Sequence, residues 1–231
     1  MRTPPLLILH LDPLVASWFS LLVIVALTLS FVMLGSHWLK NHIWAFAAES
    51  WVIAALSITV GAYGHYPQLY AIAALTIVVR GLLLPRMLLR IVGGLGVERE
   101  IHSRLSAARS LVLGVALVLF SYEVAAHLGR RLDLVDNIAV MALMAMFGLK
   151  LIGFLMMVLR TEAVSHILGL LLIENGIFLG SQILVPGMPL LLELVILFDL
   201  LLIVSTFGLL TRYLKTHVGS TSSRDLQRLV G

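Results

Sequence analysis

The chain has 231 residues, 60% hydrophobic and 12% charged, with a mean hydropathy of +1.05. Soluble domains carry about a quarter charged residues, so these values exclude an ordinary soluble fold. The absence of cysteine excludes disulfides, thiolate metal sites and iron–sulfur clusters held by this chain itself.

Apolar runs of about 20 residues recur along the whole length, the mark of an all-α, polytopic membrane protein. The pattern predicts seven spans, at 14–36, 41–62, 69–90, 108–128, 136–159, 163–185 and 189–211. Each covers the ~30 Å hydrocarbon layer with modest tilt. The first run is too long for a signal-peptide core and lacks a small-residue cleavage site, so it reads as a retained span. No linker divides 1–231, which reads as a single membrane unit: a four-helix part over 1–135, a three-helix module over 136–212 and a tail over 213–231.

The sequence pI of 9.8 raises nucleic acid as a partner, but the distribution of charge answers it. Arg2, Arg130 and Arg131 lie on one side of the predicted spans. Lys40, Arg86, Arg90, Arg99, Arg104, Arg109, Arg160, Arg212, Lys215, Arg224 and Arg228 lie on the other. This bias predicts the N-terminus outside and the C-terminus in the cytoplasm, with no nucleic acid required.

The long inner loop holds Gly94-Leu95-Gly96, which lacks the third glycine and the preceding strand of a dinucleotide site. A glycine hinge followed by a short polar helix is expected there. His37 and His42 are five residues apart, off one helical face, and no HExxH occurs, so no metal site is expected. The methionines from 141 to 157 read as soft packing. Trp38, Trp44, Tyr63, Tyr66 and Tyr70 sit at span ends as an aromatic belt.

The informative residues are the charges inside the spans. Arg80, Glu174 and Asp199 fall near the centres of their spans, Glu49 and Lys150 about one turn off centre, and Glu123 and Glu193 further toward the outer face. Left unpaired, seven such groups cost on the order of 20 kcal/mol, more than a domain's whole stability. Two arrangements meet that cost. Arg80 and Lys150 form buried pairs with Glu49 and Glu174 that fix helix register, or the alternating charges form a proton relay along the midplane. A register device needs one or two pairs, and a row across five spans favours the relay. Asn175 and Ser205 are polar neighbours suited to holding water or to bonding within their own helices. Gly176-x-x-x-Gly180 reads as a close helix contact, and His166, at the inner end of its span, as an interfacial histidine or a proton entry group.

Leu168–Leu179 (L-G-L-L-L-I-E-N-G-I-F-L), Pro189–Asp199 (P-L-L-L-E-L-V-I-L-F-D) and the closing D-L-Q-R-L-V-G resemble component E of hydrogenase-4-type membrane-bound [NiFe] hydrogenase complexes, which are related to formate hydrogenlyase. These motifs cover about a third of the chain. In that family, spans five to seven resemble the small three-helix subunit of respiratory complex I, which carries two membrane glutamates. The resemblance makes Glu174 and Glu193 their counterparts. His166 stands where the family pattern has a glutamine.

The resemblance implies a non-catalytic subunit in a prokaryotic plasma membrane, with no active site or cofactor of its own. The nickel–iron site and iron–sulfur clusters would sit on partner subunits: antiporter-like and complex-I-like membrane proteins and a peripheral hydrogenase arm. The expected proton path is Glu174, Glu193, Asp199 and Lys150, with Glu49, Arg80, Glu123 and His166 assisting. A subunit of a multisubunit cation/proton antiporter and a purely structural anchor are the competing expectations.

Overall fold

The computed structural model describes residues 13–94, 105–132, 137–184 and residue 205. Within them the regular elements are all helical: α1 (Pro13–Gly35), α2 (Leu39–Gly64), α3 (Gln68–Thr76), a π-helical segment (Ile77–Leu83), α4 (Leu84–Gly94), α5 (Ala107–Arg131), α6 (Asn137–Leu159) and α7 (Ala163–Leu184). α3, the π-segment and α4 run on without a break, so the described residues form six helical stretches, each long and apolar enough to cross a membrane. The predicted span over 189–211, with Glu193 and Asp199, lies outside the described residues, as do the expected loop helix and the tail.

The sequence makes helices here because lipid offers no partner for a free backbone N–H or C=O. Hydroxyls inside the spans obey the same rule by bonding back along their own helix. Ser17 donates to the Pro13 carbonyl, Ser50 to Phe46, Ser57 to Ile53 and Ser121 to Leu117. α2 ends in a left-handed turn at His65, φ 58°, where the Tyr66 N–H closes onto the Gly61 carbonyl at 3.2 Å.

Most of the core lies among α1, α2, α6 and α7, with Phe19, Phe46, Leu149 and Leu171 fully buried. α6 and α7 form the most extensive pair, and glycine sets their separation. A Cβ on Gly153 would lie 2.6 Å from the Gly169 carbonyl oxygen, and one on Gly176 would lie 3.0 Å from the Met146 carbonyl oxygen. As positions fall along α6 they rise along α7, so the two run antiparallel. The Gly176–Gly180 pair therefore does what its spacing predicted, bringing a neighbouring backbone close.

Local chemistry accounts for the π-segment. Pro85 has no N–H to return to Gly81, and its ring presses on the carbonyl four residues back. A wider turn relieves that pressure. At Gly81 the Trp51 ring of α2 comes so close that a Cβ would sit 2.9 Å from its Nε1. The wide turn and the missing side chain together let α2 approach the residue next door, Arg80.

Candidate functional site: a buried ion pair midway along the helices

Arg80 is completely buried. Its Nη1 donates to Asn175 Oδ1 at 2.8 Å and its Nη2 to Glu174 Oε2 at 3.0 Å. The guanidinium lies 5.0 Å from the Phe178 ring centroid, within cation–π range. Phe178 follows Glu174 by one helical turn, so α7 presents carboxylate, carboxamide and ring to one cation. The planar fork of arginine suits this two-point grip in a way a lysine ammonium does not.

Glu49 approaches the same site from α2. It is fully buried, lies beside the Asn175 side chain and feels the Arg80 charge. Yet neither of its oxygens, nor Asn175 Nδ2, makes a hydrogen bond of ordinary geometry. A buried carboxyl group whose amide neighbour stands outside ordinary hydrogen-bond geometry is weakly satisfied. Chemically it is positioned to take a proton, a water or a moving donor.

Two turns further along α7, Gln182 Nε2 donates to Ser57 Oγ of α2 at 2.6 Å. Glu49 beside Asn175 and Ser57 beside Gln182 advance together on the two helices, so α2 and α7 run parallel and share a polar seam. Glu174 is the part of the seam nearest the surface, with 16% of its side chain exposed against 1% for Arg80.

The other predicted residues lie elsewhere. Lys150 sits on α6 at similar depth, and its backbone touches the Gly176 position. Its ammonium, however, lies over the Phe147 ring at 6.0 Å, and no carboxylate pairs with it among the described residues. Glu123 is exposed on α5. His166 is partly buried, and its Nδ1 donates to the Glu162 carbonyl of its own turn at 2.9 Å. Of the six described candidates, the fold gathers Arg80, Glu174 and Glu49 and leaves the other three apart.

Sequence reading underrated three features. Asn175 neither holds itself to its own helix nor stands idle, since it is the second acceptor for Arg80. Phe178 and the Ser57–Gln182 bond went unnoticed, although Asn175 and Gln182 are seven residues apart and so share a face of α7. A second polar cluster closes the bundle where α1 and α6 end. Arg160 Nη2 donates to the Leu34 and Ser36 carbonyls at 2.7 and 3.0 Å, and His42 Nε2 donates to Ser36 at 3.1 Å. These are end-of-helix carbonyls that otherwise lack partners. Burial lowers the Arg160 pKa from its ordinary value, and the nearby Glu162 charge opposes that shift.

Among the described residues no three His, Asp or Glu side chains gather at metal-binding distance. No family model matches the chain, and no solved structure does. The chain is similar to an uncharacterized protein of Mycobacterium tuberculosis, with 29% identity over 178 residues, covering 77% of this chain and 80% of that one.

Proposed function

We propose that this chain is a non-catalytic, multi-pass membrane subunit of a hydrogenase-4-type, complex-I-like redox assembly in a prokaryotic plasma membrane. In that setting its buried charges form part of a proton (or sodium) path, coupled to electron transfer on partner subunits. The observation that carries the reading is the junction at mid-span. Arg80 bridges Glu174 and Asn175, with the buried, weakly satisfied carboxyl group of Glu49 beside them. Ionisable groups at this depth are costly and mark ion pathways more often than they mark packing. The motifs around Glu174 and Glu193 and the charge bias toward a cytoplasmic C-terminus support the same reading.

The test is made on the complex purified through a tag on this chain and reconstituted into vesicles. In the complex that assembles, Glu174→Gln and Glu49→Gln each sharply reduce the number of ions moved per electron. An unchanged ratio defeats the proposal. Nickel- and iron-containing proteins purify with the chain if the redox assembly is correct, whereas an antiporter subunit brings none.

One observation favours the alternative of a structural anchor: both Arg80 contacts are short and direct, as in a clamp. A clamp makes a different prediction. The Glu174 variant then keeps the original ratio of ions to electrons in the surviving complex, whatever it loses in stability.

A further inference from the structure

α5 turns a stripe of small residues inward: Ser110, Gly114, Ser121, Ala125 and Gly129 are buried against α1 and α6. The fit is close, for a Cβ on Gly114 would meet Leu34 at 2.7 Å and Phe31 at 2.8 Å. Among the described residues nothing covers the opposite side, with Val112 70%, Leu119 62% and Phe120 59% exposed. Acyl chains alone satisfy such a face, because lipid tails are as apolar as leucine.

Glu123 breaks the pattern. It stands on this exposed side, one turn beyond Leu119 and eight residues before the helix ends at Arg131. Eight residues are about 12 Å of helix. α5 overruns a ~30 Å hydrocarbon layer by only a few ångströms at each end, so the carboxyl group lies well inside the layer, beyond the reach of so short a side chain. The basic residues on the same face, His127 and Arg130, lie one and two turns toward the helix end. The Arg131 Nε is engaged with His127 Nε2 at 3.1 Å, and no hydrogen bond or ion pair reaches Glu123 among the described residues. A carboxylate facing lipid at this depth costs up to about 2.5–3.5 kcal/mol.

We infer that the outer face of α5 docks on a transmembrane helix of another subunit that presents a Lys or Arg side chain opposite Glu123. Charge complementarity selects this occupant. A second copy of the chain packed about a two-fold axis would set Glu123 against its own counterpart, a like-charge contact. Lipid alone leaves the carboxylate unmet. This inference stands independently of the hydrogenase reading, since any subunit with a base at that depth meets the requirement.

The experiment places a photo-crosslinking phenylalanine derivative at Leu119 of the full chain in native membranes and identifies the adduct by mass spectrometry. The expected adduct is a different membrane protein, joined at a span that holds Lys or Arg within about one turn of the crosslinked site. Its yield falls at least about tenfold in Glu123→Lys and returns when the partner's base is changed to Glu. Adducts with lipid alone, with a second copy, or with a span lacking a base overturn the inference, and so does an undiminished yield in Glu123→Lys. Thermal melting of the purified chain shows whether Glu123→Lys still folds. If it does not, Glu123→Gln and partner Lys→Met (or Arg→Met), singly and together, give the coupling directly. Effects on yield that simply multiply overturn the proposal, and non-multiplying effects uphold it.

Discussion

The α2–α7 seam and α5 solve the membrane problem in opposite ways. In the apolar stretches of α2 and α7, 67% of residues are buried within the bundle, against 17% for α5. The seam holds charged and polar groups deep inside and satisfies most of them with each other. α5 is held by a narrow stripe of small residues and turns the rest of its surface outward, including one carboxylate that the bundle does not answer. The contrast shows where this chain's stability resides and where its surface is left for something else.

The largest expected effect comes from breaking the seam. Arg80→Met leaves Glu174 and Asn175 without their shared donor and is expected to cost about 3–5 kcal/mol, read as a drop in thermal unfolding temperature in detergent. Arg80→Lys restores little, because one ammonium does not reproduce the two-point grip. Combining Arg80→Met with Glu174→Gln recovers part of the loss, since the uncompensated charge is then gone. Full stability in Arg80→Met would show that the pair is idle.

A smaller effect comes from the α6–α7 contact that carries the seam. Gly153→Ala drives a methyl to 2.6 Å from the Gly169 carbonyl oxygen. Backbone cannot swing aside as a side chain does, so the helices must separate at a cost of about 1–3 kcal/mol. The same melting assay reads it, and Gly153→Ala melting with the parent would contradict the close approach.

The smallest effect is expected on α5. Leu119→Ala removes no internal contact of consequence and should shift the stability of the isolated chain by less than about 0.5 kcal/mol. If it instead destabilised the isolated chain as much as the glycine change, the outer face of α5 would be internal to the fold and the contrast between the two regions would collapse.

Much of the architecture was legible before any coordinates. The predicted span over 41–62 is α2, Leu39–Gly64, and that over 163–185 is α7, Ala163–Leu184. Bilayer thickness fixes helix length, and hydropathy reports it. The depth of Arg80, Glu49 and Glu174 was legible too, because depth is a count of residues from a span's end. The π-segment was not foreseen, although Pro85 four residues beyond Gly81 was its signal.

What the sequence by itself determined is thus the helical class, the extent of the six described helical stretches and the level of Arg80, Glu49 and Glu174 along them. Only the tertiary structure decided that Glu174 meets Arg80 rather than Lys150, that Asn175 is the second acceptor and that Glu123 faces away. Those outcomes depend on how each helix is rotated and which helix it neighbours. In spans apolar on nearly every side, rotation is set by the fit of small residues such as Gly153, Gly169 and Gly176 against a neighbouring backbone, and such fits arise between segments far apart in the chain.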